Sequence, residues 1–313
     1  MRVLITGAFG YLGGRLAQLL QKRDFEVVLS GRGVPPGAAE FARGFEVRSA
    51  DVLDPAELAR AVEGVGAVIH LASLDEREAE RDPGRALAVS GEGTRLLLEA
   101  AERAGVARVL YFSTFHVYGP GSPATIDESV LTRPAHPYGI SRLVGESYCR
   151  RARLRGQEAI VLRISNGYGA PAWAEVDRWT LAHNDFCRQA HAGREITLAS
   201  SGQQHRDFVA VSDIAQAAAL LLEVEASSLG ERLFQVGGAR SMSILTIAER
   251  VAARARARYG AECAIRRPAS VAAEPAVPVD YRIDRLAALG YRPTDQVDLE
   301  TDRIFALLDE SHP

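Results

Sequence analysis

The chain has 313 residues, of which 47% are hydrophobic and 25% charged, with a net charge of -3. That length allows one large or two smaller domains, and the absence of a long run of one charge sign argues against a nucleic-acid or membrane-surface protein. No apolar run approaches the roughly 18 to 20 residues that span a bilayer, and no signal-peptide pattern accompanies the opening "MRVLITG", so a cytoplasmic protein is expected.

Cys149, Cys187 and Cys263 are odd in number, far apart and without metal-ligand spacing. They read as reduced packing thiols, and no metal site is expected. Of the 37 Lys and Arg residues, Lys22 is the single lysine.

The first element, "RVLITGAFGYLGGRLAQLL", is an apolar strand, a glycine turn and an amphipathic helix. Gly7, Gly10 and Gly13 follow G-x-x-G-x-x-G spacing. Such a turn brings backbone close to a pyrophosphate at the positive end of a helix. Gly7, Gly10, Tyr11, Leu12 and Gly13 are therefore candidate dinucleotide contacts. The second strand, "FEVVLSGR", ends without the acid that would hold an adenosine ribose. Arg32 stands there instead and can pair with a 2′-phosphate, which favours NADP over NAD.

Alternation continues through "FEVRSADVLD", "AELARAVEGV", "GAVIHLAS", "ALAVSGEGTRLLLEAAERAG" and "VARVLYFSTFHVYG". Strands alternating with helices predict an α/β fold, a Rossmann-type doubly wound parallel sheet with ligands at the carboxyl ends of its strands. Asp51, Val52, Ala72, Ser73, Ser113 and Thr114 all fall at such ends. In "HPYGISR", Pro137 suits a first helical turn, and Tyr138 and Arg142 share one helix face. A hydroxyl, a phenol and a cation around a nicotinamide make a hydride-transfer site, in which the phenol moves a proton at the substrate oxygen.

With these residues in place, the chain resembles the extended short-chain dehydrogenase/reductases, the group of sugar-nucleotide epimerases, dehydratases and ketoreductases related to UDP-galactose 4-epimerase. The resemblance rests on "TGAFGYLG", "DVLD", "HLAS", "GTRLLLEA", "STFHVYG", "PYGISR", "LRISNGYGAP" and "RDFVAVSDIAQA", within residues 6 to 219. The tail "DYRIDRLAALGYRP" is similar to the family's C-terminal helix. The resemblance implies that Thr114 is the hydroxyl partner, Tyr138 the acid/base, and Asn166 and Arg206 contacts of a substrate diphosphate. Arg267 falls loosely on a second phosphate-binding arginine.

Three positions depart from that pattern. Arg142 replaces the usual lysine; it keeps the charge but cannot become neutral. Phe115 and His116 stand where 4,6-dehydratases carry an Asp-Glu pair, which makes a standard dehydratase unexpected and His116 a candidate proton shuttle. Side chains alternate along a strand, so Thr114 and His116 are expected to share a face. Ser90 stands where the family often has a buried asparagine.

After "NGYGAP" the alternation breaks down. "AWAEVDRWTLAHNDFCRQAHAG" reads as helical, and its Trp179 is a candidate for stacking on substrate, with core packing the simpler reading. "EITLASSGQQHRDF" resembles a hairpin that closes over the nucleotide. The expected division is a dinucleotide-binding domain over residues 1–165 plus about 207–236, and a smaller, interleaved substrate-binding domain over about 166–206 plus 237–313. The expected activity is NAD(P)-dependent hydride exchange at C4 of a nucleotide-diphosphate sugar. Epimerisation stands slightly ahead of NADPH-dependent 4-ketosugar reduction. An alternative of another class is a catalytically impaired dinucleotide-binding regulator. The resemblance also implies a homodimer built on helices near residues 89–104 and 138–153.

Overall fold

The computed structural model describes residues 1–268 and 277–311. Its strands begin with β1 (Arg2–Thr6), β2 (Glu26–Gly31), β3 (Glu46–Ser49), β4 (Ala67–His70), β5 (Arg108–Thr114), β6 (Thr125–Ile126) and β7 (Ala159–Ile164). They continue with β8 (Asn166–Tyr168), β9 (Glu195–Thr197), β10 (His205–Ala210), β11 (Leu233–Val236), β12 (Ser241–Ser243), β13 (Ala264–Arg266) and β14 (Asp280–Tyr281).

Seven strands pair in parallel in the order β11-β7-β5-β4-β1-β2-β3. This is the expected doubly wound sheet. Its central strands β1, β4, β5 and β7 are buried and largely apolar because helices cover both faces, whereas the edge strand β3 is mostly exposed. Side chains alternate between the faces. Val3, Ile5 and Leu29 join one core with the helices Tyr11–Gln21 and Val211–Glu223, while Leu4, Val28 and Val68 join the other with Gly93–Arg103 and Pro137–Leu154. The chain winds outward from β1 to β3, returns to β4 and winds the other way. A crevice opens at that reversal, beyond the carboxyl ends of β1 and β4.

A separate core joins Phe186, Ile247, Val251 and Phe305 from the helices Ala182–Gly193, Ile244–Tyr259 and Val297–Ser311. Above it lies the sheet β12-β10-β8. The chain then crosses back: β14 pairs with β6, and Tyr281, Leu286 and Tyr291 are buried in the first core. The Glu300 carboxylate, fully buried, ties the parts together. It lies 3.5 Å from Arg15 on the first helix and accepts the Ala170 backbone N–H at 2.9 Å.

Local expectation and structure differ in three places. "EITLASSGQQHRDF" is not a hairpin: β9 pairs in parallel with β13, while β10 pairs with β8 and β12. Each strand finds a distant partner rather than its neighbour. Helix occupies only the second half of "AWAEVDRWTLAHNDFCRQAHAG", from Ala182 to Gly193. The strand carrying Thr114 stops there, and His116 lies in the short 3-10 turn Phe115–Val117, so strand alternation does not set its direction.

Candidate active site

The crevice is a cavity of about 1050 Å³. That is at the upper end of the roughly 300–1,000 Å³ range of small-molecule sites. Gly7, Gly10, Tyr11, Leu12 and Gly13 line its floor, with Arg32, Asp51, Val52, Ala72 and Ser73 around one end. Ser113, Thr114, His116, Tyr138 and Arg142 form the central wall, and Asn166 and Arg206 line the other end.

The floor is shaped by its glycines. Gly7 adopts a φ of 66°, in the left-handed region that favours glycine. A Cβ on Gly13 would lie 2.5 Å from the Gly7 carbonyl oxygen, so only glycine lets the helix approach the turn this closely. Gly10 caps the helix without any side-chain hydrogen bond. The helix therefore presents free N–H groups and its positive end to the cavity. The Tyr11 hydroxyl is committed elsewhere, donating to the Gly169 carbonyl at 2.9 Å. Arg32 is exposed and has no ion-pair partner among the described residues. The Asp51 carboxylate accepts the Leu53 N–H at 2.9 Å.

Tyr138 reaches the wall from the first turn of the helix Pro137–Leu154, with Pro137 at the helix start. Burial holds its phenol above the ordinary range, and the Arg142 charge and the Thr114 hydroxyl pull it back. Arg142, one turn on, is buried at 3% exposure. Its Nε and Nη1 have no hydrogen-bond partner among the described residues. A buried guanidinium with unused donors is costly unless a ligand supplies acceptors. Burial and the Arg142 charge push His70, behind it, down to about 3.

Several neighbours were not singled out in the sequence. Glu146, two turns beyond Tyr138, accepts from Ser113 and pairs with Arg163 at 2.7 Å. The Ser113 hydroxyl is thus engaged by Glu146, and the tyrosine helix is bolted to β7. Its spacing, four residues after Arg142, was the available signal. His136 Nε2 lies 3.1 Å from His116 Nδ1. Arg178 and Glu76 pair at 2.9 Å across the cavity wall near Tyr138. Burial opposes ionisation of Glu76, but Arg178 holds its carboxyl low.

Asn166 and Arg206 face the far end. The Asn166 amide donates to the Asp207 carbonyl at 2.9 Å, and the Arg206 guanidinium is exposed and, among the described residues, donates only to the His205 carbonyl. Two expected contacts lie elsewhere. Trp179 packs against the separate core of Phe186, Ile247 and Phe305, and Trp173 is a tryptophan that lines the cavity. Arg267 is exposed just beyond β13 and does not line the cavity. The three cysteines are free and buried, and burial pushes the Cys149 thiol up to about 12.

The model of the NAD-dependent epimerase/dehydratase family matches residues 3–237. The chain belongs to that family. The match covers both the glycine turn and the Tyr138 helix. The UDP-glucose 4-epimerase of Azospirillum brasilense is 30% identical over 262 residues, covering 78% of this chain and 74% of that protein. A D-erythronate dehydrogenase of Cupriavidus necator is 34% identical over 187 residues, but the match spans only 57% of that relative and 55% of this chain. Among solved structures, the UDP-glucuronic acid 4-epimerase of Bacillus cereus with UDP-glucuronic acid and NAD superposes with a TM-score of 0.81 over the whole of both chains. At 23% identity that likeness bears on the fold. RMD of Pseudomonas aeruginosa, complexed with NADPH, is 25% identical with a TM-score of 0.80 over 99% of both chains.

A nicotinamide dinucleotide fits the residues present. The uncapped helix start suits its pyrophosphate, and the unused Arg142 donors suit its ribose hydroxyls.

Proposed function

We propose that this enzyme carries out hydride exchange at C4 of a nucleotide-diphosphate sugar, with 4-epimerisation as the first reading. The observation that carries this is Tyr138, flanked by Thr114 and Arg142, on the wall of the cavity whose floor is the glycine turn. A bound nicotinamide dinucleotide supplies the hydride acceptor and donor. The Tyr138 phenol moves the proton at the C4 oxygen, and the Thr114 hydroxyl holds that oxygen. Arg142 favours the phenolate through its fixed charge. Asn166 and Arg206 take the substrate diphosphate, and residues about 166–206 and 237–313 form the substrate-binding part. The active form is a homodimer through the helices Gly93–Arg103 and Pro137–Leu154.

The exposed, unpaired Arg32 favours a second reading, NADPH-dependent reduction of a 4-ketosugar. The two reactions differ in stoichiometry. Epimerisation consumes no cofactor, whereas reduction consumes one NADPH per product. Mass balance with UDP-glucose, UDP-glucuronic acid and their 4-keto forms, with and without NADPH, separates them. Stoichiometric NADPH loss would eliminate the epimerase reading. With an accepted substrate, Tyr138→Phe should lose about 10²- to 10⁴-fold in turnover while still binding cofactor. Unchanged turnover in that variant would remove Tyr138 from the chemistry.

A further inference from the structure

Two histidines beside Tyr138 form a directional pair. His136 caps the helix Pro137–Leu154, and its Nδ1 accepts the Gly139 backbone N–H at 3.3 Å. A backbone N–H can only donate, so Nδ1 of His136 is bare and its proton is on Nε2. That Nε2 faces His116 Nδ1 at 3.1 Å and donates to it. The proton of the His116 ring is therefore on Nε2. His116 lines the cavity, and its Nε2 has no hydrogen-bond partner among the described residues. The ring lies edge-on to Tyr138, with centroids 5.9 Å apart.

On the proposed reading of the site, we propose that His116 determines substrate specificity. It presents a fixed neutral N–H donor to an acceptor oxygen of the sugar beside the carbon at which Tyr138 acts. His136 is the positioning residue that sets its tautomer. His116 donates a hydrogen bond and does not take a proton from carbon, in contrast to the shuttle expected from its position in the sequence.

Reversing the pair would put a His136 N–H against the Gly139 N–H. Protonating His116 would put two N–H groups face to face. The other groups around the ring are Glu76, Arg206, Arg178 and Tyr138, with Phe115 packed on it at 4.1 Å. Burial and His136 push His116 down to about 4; Arg206 and Arg178 act the same way, and Glu76 opposes them. The ring is neutral over the physiological range.

Long-range proton–nitrogen NMR on the full-length protein with labelled histidine reads the tautomer without any substrate, and His116→Gln identifies the resonance. The expected result is a neutral ring with its proton on Nε2 from about pH 5 to about pH 8. A bare Nε2, or a titration midpoint above about pH 6, overturns the proposal. His136→Asn keeps a capping oxygen for Gly139 but removes the imidazole. There, His116 should titrate closer to its ordinary value of about 6.5. An unchanged His116 in His136→Asn overturns the positioning role.

Kinetics with UDP-glucose and UDP-glucuronic acid as probes form the second arm. His116→Leu should raise KM by roughly tenfold with a smaller change in kcat, while His116→Gln, which keeps an N–H, recovers most of it. Turnover in heavy water should leave deuterium absent from the carbon next to C4. Deuterium there, lost in His116→Leu, overturns the donor role. Failure of wild type to turn over either probe, with the NMR pattern as expected, counts against the proposed substrate class and supports the tautomer that His136 sets.

Discussion

The guanidinium of Arg142 lies over the ring of Tyr111, 4.8 Å from its centroid. The Tyr111 hydroxyl also donates to the Arg142 backbone oxygen at 3.1 Å, and Gly145 leaves the space that this hydroxyl fills. The arginine therefore occupies a built seat, with an aromatic platform below and unused donors toward the cavity. A planar cation uses such a platform differently from an ammonium.

Arg142→Lys keeps the charge but loses the stack. A cation–π contact of about 0.5–2 kcal/mol corresponds to roughly 2- to 30-fold in turnover, and that loss is expected in kcat/KM. Tyr111→Leu should produce a similar loss. If the two residues act together, the double variant loses less than the product of the single effects. Independent, multiplying effects would separate Tyr111 from the function of Arg142.

The Arg163–Glu146 pair is a stability element. Their side chains are 6% and 8% exposed, and Arg163 also reaches the Tyr118 hydroxyl at 2.9 Å. Arg163→Met leaves Glu146 buried without its partner, an expected loss of about 3–5 kcal/mol. Urea unfolding measures it. A loss below about 1 kcal/mol would mean that Glu146 finds another partner or water.

Gly13→Ala tests the floor of the site. The new methyl would sit 2.5 Å from the Gly7 carbonyl oxygen and 2.6 Å from the Ala8 Cα, so the turn must move. Overpacking of this kind costs about 1–3 kcal/mol. The expected result is weaker NADH and NADPH binding, by tenfold or more, in a fluorescence titration (about 1.4 kcal/mol). Wild-type affinity would show that the turn does not contact the dinucleotide.

Acid should destabilise the fold through its neutral histidines. Burial pushes His183 down to about 4, and burial together with Arg142 pushes His70 down to about 3. In the unfolded chain these rings bind protons below about pH 6.5, while the folded protein excludes them. Their contribution to stability therefore falls as pH drops through that window, by about 1.4 kcal/mol per pH unit for each ring. Denaturant melts between about pH 6.5 and about pH 5 should show His183→Gln with a slope smaller by about that amount. Equal slopes would place the His183 titration outside the window.

Features that depend on local repeat are legible in the chain before it folds. The run Val3–Ile5, the glycine turn and the apolar face of Tyr11–Gln21 are legible because strand and helix periods and glycine's allowed φ are properties of neighbouring residues. The same holds for Tyr138 and Arg142, whose four-residue spacing puts them on one helix face before any packing is known. Partner choice was not legible. β9 and β10 have hairpin-like spacing, yet β9 closes with β13, about seventy residues away. Trp179 and Trp173 lie six residues apart in one irregular segment, and only the packed structure decided which lines the cavity. His136, like Glu146 and Arg163, is an ordinary polar residue in the sequence, and His116 stands out there only by its place after Thr114. Their roles arise when strand pairing and helix docking bring them within 3.1 and 2.7 Å, the histidines half-buried and Glu146 and Arg163 buried. In that setting an unmatched hydrogen-bonding group is expensive, so partners separated along the chain set each other's proton and charge.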